Sequence, residues 1–150
     1  MGFALHNYTD IPDRRILKLV SFAAPSKYQI HKLYVKYSKV FSSSAWFDYY
    51  DNNNLKILIT IGPNNSYPLT IKRNKRNTEK GYSKEQVFNS KDELLVALIA
   101  HEFRHCADYI GQGKFKNWLL SHDARSEIRA ESYSAKKVEK FRLIDKRIFR

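Results

Sequence analysis

The feature that most constrains this chain is a histidine pair in the middle of a strongly helical segment. His101 and His105 enclose Glu102 in an H-E-x-x-H motif. Residues four apart lie on the same face of an α-helix, about one turn from each other. Two imidazoles in that arrangement can bind one zinc ion, at Zn–N distances of about 2.0–2.1 Å. Glu102 then lies beside the pair, where it can contact a water on the metal rather than the metal itself.

The residues around the pair predict a helix that begins near Ser90 and ends after Ile110. Ser90 and Glu93 form a capping-box pattern at its start. Leu94 and Leu98 continue the stripe of the two histidines toward the N-terminus, and glycines follow Ile110. The alternative is a core helix that carries two histidines by chance. The glutamate between the histidines favours the metal site.

The next helical segment, residues 123–141, offers a third ligand, which a catalytic zinc site usually has in addition to an open position for water. Glu127 and Glu131 recur at helical spacing with the apolar Val138 and Phe141, so this face is predicted to point inward. Buried carboxylates require partners, and a metal with its histidines would supply them. The alternative is ion pairing with basic residues of the same helix, namely Arg125, Arg129 and Lys136.

An H-E-x-x-H motif followed by a helix with E-x-x-x-E resembles the gluzincin metallopeptidases, especially their minimal single-domain members from phages and archaea. The resemblance extends from about residue 55 to residue 141, and the two helices carry nearly all of its specificity. It implies a zincin-like fold and hydrolysis of peptide bonds by a metal-activated water. A peptide or protein substrate and a Zn²⁺ cofactor are therefore expected.

The resemblance also implies roles for particular residues. His101, His105 and Glu127 would bind zinc, and Glu102 would be the general base. Glu131 would accept a hydrogen bond from a histidine ligand. This chain has glutamate where the family usually has aspartate, so Glu127 and Glu131 could exchange roles. Candidates for stabilising the oxyanion are Tyr133, Tyr109, His122 and Arg104.

Two other functions stay open. In a Spartan-like, DNA-associated protease a third histidine would replace the glutamate ligand. His122 is the only histidine after His105, but Asp123 follows it where glycine is expected for that family. The second alternative is a non-enzymatic, basic nucleic-acid-binding module with a vestigial zinc site. Glu102 argues against it, because a purely structural site has no use for a base.

The formal net charge of +12 is large for a chain of 150 residues. Its densest basic cluster comprises Lys72, Arg73, Lys75 and Arg76. Such a surface attracts polyanions whatever their sequence, which predicts weak and salt-sensitive binding to nucleic acid. A solvated face with a lysine bias explains the cluster equally well.

The length predicts one metallopeptidase-like domain over residues 1–150. Cys106 is the single cysteine, so no internal disulfide is possible and a reducing compartment is expected. No signal peptide is evident, and no stretch approaches the roughly 20 apolar residues of a membrane span. The expected location is the cytoplasm, with no membrane partner.

The pattern along the chain predicts an α+β domain. A helix is expected first, from about Pro12 to Pro25, followed by a small and mostly antiparallel sheet and then two packed helices that flank the zinc. Strands are expected within residues 28–37, 45–50, 55–61 and 67–73. The second and third of these are expected to form a hairpin around a turn at residues 51–54. Ser42–Ser44 and residues 74–89 are expected to be connections.

Overall fold

The computed structural model describes residues 2–38, 42–47, 55–72, 85–110 and 124–144. Within these ranges the chain forms six strands and three α-helices, which confirms the α+β class. In chain order they are β1 (Ala4–Tyr8), α1 (Asp13–Ala23), β2 (Lys32–Tyr37), β3 (Ser42–Phe47), β4 (Leu55–Ile61), β5 (Leu69–Lys72), β6 (Glu85–Phe88), α2 (Lys91–Ile110) and α3 (Ala124–Leu143).

Four of the strands form one mixed sheet in the order β1-β2-β4-β3. β2 pairs in parallel with both β1 and β4, and β3 is antiparallel at the edge next to β4. β5 and β6 form a separate antiparallel pair. The prediction of a mostly antiparallel sheet is therefore wrong. One cause is β1, a strand that was not predicted: α1 connects it to β2, and a helical crossover makes the two strands parallel. The other cause is that β2 pairs in parallel with β4 and not with β3, the next strand in the chain.

The predicted first helix consequently follows a strand instead of opening the fold. The other strand predictions are close to the observed elements. The predicted hairpin is present, although β3 already begins at Ser42, in the stretch expected as a connection. β6 lies within residues 74–89, which were expected to be a loop. The predicted turn at residues 51–54 lies outside the described residues.

The core lies between one face of the sheet and the helices. Leu33 and Val35 on β2 and Ile57 and Ile59 on β4 are at most 1% exposed. Burial of each such side chain contributes about 1.5–3 kcal/mol. On α2, Phe103 packs edge-on against the ring of Tyr28, with centroids 4.9 Å apart. Phe103 thus lies on the core side of α2, whereas His101 and His105 contact α3.

The last turn of α1 is held by side chains of α3. The Tyr133 hydroxyl donates to the Ala23 carbonyl at 2.8 Å, and the Lys137 ammonium donates to the Phe22 carbonyl at 3.1 Å. Terminal carbonyls of a helix have no partner inside the helix, so these two bonds satisfy them. Burial, with a contribution from Lys140, lowers the pKa of Lys137. The position of α3 is thus fixed from the α1 side.

Tyr37, at the end of β2, donates a hydrogen bond to the Asp10 carboxylate. Burial and this contact raise the pKa of Tyr37 to about 12. Because an unperturbed tyrosine has a pKa of about 10, the unfolded chain loses this proton first, and stability falls as pH rises from about 10 to 12.

We expect Tyr37→Phe to unfold more readily at pH 7 and to lose less stability above pH 10. Urea unfolding at both pH values tests this against Tyr8→Phe, whose ring is 65% exposed. If Tyr37→Phe loses as much stability above pH 10 as the wild type does, the raised pKa of Tyr37 is not the cause of that loss.

Candidate metal centre

The helix α2 begins with the cap that was predicted from Ser90 and Glu93. The hydroxyl of Ser90 accepts a hydrogen bond from the N–H of Glu93 at 3.2 Å. The Glu93 carboxylate reaches back to the N–H of Asn89 at 3.1 Å, one residue earlier than in a standard capping box. The helix runs from Lys91 to Ile110, which confirms the predicted range. Its histidine motif therefore lies in regular helix.

Four contacts at successive turns of α2 join it to α3. From the start of α2 they are Glu93 with Arg142, the Ala97 carbonyl with Ser134, His101 with Glu131, and His105 with Glu127. The residue numbers of the partners on α3 decrease as those on α2 increase, so the two helices are antiparallel. We call this line of contacts the α2–α3 seam. It brings the histidines opposite the two predicted carboxylates.

The histidine pair and Glu127 form a compact group at the end of the seam. The two Nε2 atoms of His101 and His105 are 3.3 Å apart. Glu127 places Oε2 3.3 Å from Nε2 of His101 and Oε1 3.0 Å from Nε2 of His105. Ligand atoms of the three side chains all lie within 4.8 Å of one another. This group is close enough to hold a metal ion.

The group also fits the coordination chemistry of zinc. Two atoms that each lie about 2.0–2.1 Å from a tetrahedral zinc ion are about 3.3–3.4 Å apart. The two Nε2 atoms, 3.3 Å apart, match this spacing, whereas Glu127 approaches each of them with a different carboxylate oxygen. Imidazole nitrogens and a carboxylate oxygen are ligands that zinc accepts. The three side chains thus offer donors of the kinds that zinc accepts, close enough together to hold an ion.

Glu131 contacts the other nitrogen of the first histidine. Its Oε2 lies 3.3 Å from Nδ1 of His101, and its side chain is 10% exposed. The two glutamates therefore approach opposite sides of the same imidazole ring. In metal sites, a carboxylate on the second ring nitrogen fixes the tautomer and the orientation of the ring. This placement differs from that of Glu127, which contacts both Nε2 atoms.

Glu102 is 7% exposed, although it carries a carboxylate. It lies about 100° around the helix from His101, which places it on the flank of the histidine pair. One turn further along is Cys106, a free and fully buried thiol. Burial, reinforced by the charge of Glu102, raises the pKa of the Cys106 thiol. A thiol that resists ionisation is a poor ligand, which agrees with its packing in the core.

Two of the residues predicted as oxyanion stabilisers have other contacts. The Tyr133 hydroxyl donates to the Ala23 carbonyl, and burial raises its pKa. Arg104 pairs with Asp108 at 3.4 Å, and its guanidinium carbon lies 5.7 Å from the centre of the Tyr133 ring. The side chains of Tyr109 and His122 lie outside the described residues. Both described candidates are therefore engaged in contacts with other residues.

Ser134 is a seam residue whose contact was not predicted. Its side chain is 2% exposed, and its hydroxyl donates to the Ala97 carbonyl at 2.8 Å. In an α-helix that carbonyl also accepts the N–H of His101, four residues on. Ser134 thus binds α3 to the turn that carries the first histidine. The sequence carries a signal for this contact: Ser134 lies on the face of the helix that is predicted to point inward, and a buried hydroxyl needs a hydrogen-bond acceptor.

Comparison with known proteins gives no match: no family model, curated protein or solved structure corresponds to the chain. The gluzincin resemblance and the zincin-like fold remain predictions from the motif and its spacing. The basic side chains at residues 72–76 lie outside the part whose side chains the structure describes. None of the described helices is long and apolar enough to cross a membrane.

Proposed function

We propose that this protein is a zinc-dependent metallopeptidase of the gluzincin type. His101, His105 and Glu127 would hold the ion, and Glu102 would act as general base. The observation that carries the proposal is the convergence of these three side chains, which contact one another at 3.0–3.3 Å and offer ligand atoms that all lie within 4.8 Å of one another. A buried glutamate directly after the first histidine of this pair is the feature that favours hydrolysis over a structural site.

Zinc, when bound, supplies a Lewis acid and lowers the pKa of a water ligand toward about 7. Glu102 would take the proton as the water attacks the peptide carbonyl and would later deliver it to the leaving amine. Glu131 would hold His101 in one orientation through Nδ1. The seam fixes Glu127 and Glu131 relative to the histidines before substrate binds, and such preorganisation favours catalysis.

The edge strand β3 would bind the peptide substrate. It pairs with β4 on one side, and no described strand pairs with its other edge. β3 also contacts α2, the helix that carries the histidines. An extended peptide can add to such an edge through backbone hydrogen bonds. Peptides or proteins bound in extended form are therefore the proposed substrates.

The Spartan-like alternative and the non-enzymatic alternative are weaker. Glu127 already contacts both histidines, so a third histidine is not needed to complete the ligand group. A vestigial site would not require a buried carboxylate at Glu102. We place the activity in the cytoplasm, because the single cysteine is a free thiol, as expected in a reducing compartment. Nucleic-acid binding by Lys72, Arg73, Lys75 and Arg76 stays a prediction.

Zinc titration of three proteins tests the ligand set. We expect the wild type to bind about one zinc ion, Glu127→Ala to lose most of that affinity, and His122→Ala to retain it. Peptide hydrolysis should be abolished in the wild type by a chelator and restored by zinc. If His122→Ala loses the metal and Glu127→Ala does not, the Spartan-like assignment is correct. If the wild type takes up no zinc, the metallopeptidase proposal fails.

A further inference from the structure

The two faces of the four-stranded sheet have opposite character. Toward the helices, the side chains of β2 and β4 are apolar and buried. Successive residues of a strand point to opposite faces, so the alternate positions form the other face. On β2 these positions are Lys32, Tyr34 and Lys36, of which Lys36 is exposed. We call the face that they share the outer sheet face.

The strand register places basic and aromatic residues in rows across this face. Lys32 pairs with Lys56 in the first row, His6 pairs with Tyr34 in the second, and Tyr8 pairs with Lys36 in the third. Paired residues of neighbouring strands project from the same face, with backbones about 4.7–4.9 Å apart. An aromatic row thus lies between two rows that contain lysine.

Two of the aromatic rings on the face already form a flat stack. The rings of His6 and Tyr34 lie 4.7 Å apart with an interplanar angle of 16°. In the next row, the Tyr8 side chain is 65% exposed. Aromatic rings of this kind are more often found in a core or at an interface than on open surface. The exposed Tyr8 ring beside the exposed Lys36 suits a partner with both flat rings and negative charge.

The charge of the sheet is of one sign. The four strands β1, β2, β3 and β4 contain no aspartate or glutamate, whereas lysine occupies positions 32, 36 and 56. The chain as a whole has a formal net charge of +12, which also favours anionic partners. A partner that complements three cations must carry several anionic groups along its length.

We propose that the outer sheet face binds single-stranded nucleic acid. Lys32, Lys36 and Lys56 would contact phosphates, and Tyr8 and Tyr34 would stack on bases. Single strands expose the faces of their bases, whereas a duplex hides them between neighbouring pairs, so aromatic contacts select the single strand. The surface is formed by the sheet and not by the α2–α3 seam. The proposal therefore does not depend on the metallopeptidase assignment.

Fluorescence anisotropy of a labelled 20-nucleotide oligothymidylate, measured over a series of salt concentrations, tests the proposal with the full chain. The triple variant Lys32→Gln, Lys36→Gln, Lys56→Gln should flatten the slope of log K against log salt by up to ~2 units, because each phosphate contact on a single strand contributes about 0.7. Tyr8→Ala and Tyr34→Ala should each weaken binding by roughly 5- to 150-fold with little change of slope, because each removes one stacking contact.

A matched triple variant, Lys27→Gln, Lys136→Gln, Lys140→Gln, removes the same charge from exposed lysines away from the sheet. It should leave most of the slope intact. Circular dichroism checks that each variant is folded. If Tyr34→Ala does not fold, Tyr8→Ala alone provides the test of stacking. Equal losses in the two triple variants, or equal affinity for a duplex of the same length, would overturn the proposal. Tight binding to acidic vesicles without binding to the oligonucleotide would identify a membrane surface instead and would also overturn it.

Discussion

We expect Glu102→Gln to bind zinc as the wild type does while losing peptidase activity by about 10²–10⁴-fold, the usual contribution of a general acid–base group. The substitution keeps the shape of the side chain and removes its ability to take a proton. Glu102 is not one of the three side chains that converge as a metal group, so the affinity for zinc should change little. Because an amide has nearly the same size and shape as a carboxylate, this buried position, 7% exposed, should accommodate the change.

Two measurements on the same preparation decide this prediction: zinc stoichiometry by elemental analysis, and turnover of a quenched fluorescent peptide library. Glu139→Gln is the matched control, because it makes the same chemical change at an exposed position of α3. Full activity in Glu102→Gln would exclude Glu102 as the base even if the zinc site is real. Loss of zinc together with activity would instead show that Glu102 supports the metal site.

The helical half of the fold could be predicted because its signals are local. The Ser90 cap, the four-residue spacing of the histidines and the apolar stripe all lie within one helix, and they fix which side faces inward. The spacing of Glu127 and Glu131 then placed both carboxylates on the facing helix. The spacing of residues in the sequence could not predict which histidine nitrogen, Nδ1 or Nε2, each carboxylate approaches. That depends on the axial position of α3 along α2, which the contact between Ser134 and Ala97 helps to set.

The sheet was harder to predict because strand pairing joins distant parts of the chain. The alternation in β2 identified a half-buried strand correctly, but alternation does not specify the neighbour. β1 is five residues long and has no strong apolar pattern, so it was not recognised. Without it, the parallel pairing with β2 could not be expected, and neither could the row that joins His6 to Tyr34. The outer sheet face became visible only through this register.

The second large effect concerns Glu127 and Glu131, whose roles the sequence left exchangeable. We expect Glu127→Gln to lower zinc affinity by more than about 100-fold, because it replaces an anionic ligand that contacts both histidines with a neutral amide. Glu131→Gln should lower it by roughly 10–100-fold, the usual loss when the carboxylate behind a ligating histidine is removed. The structural reason for this order is that Glu131 meets His101 at Nδ1, away from the metal group.

Zinc titrations of both variants against a competing chelator measure the order directly, with Glu139→Gln again as the control for a changed carboxylate on α3. Thermal unfolding without metal separates a lost ligand from a lost fold, since all three variants should unfold near the wild-type temperature if the seam is intact. Glu131 is one methylene longer than the aspartate expected from the gluzincin pattern, yet its oxygen lies 3.3 Å from Nδ1 and therefore near hydrogen-bonding range. If Glu131→Gln abolishes zinc binding while Glu127→Gln is nearly silent, the two residues have exchanged roles, and the side chains must rearrange when the ion binds.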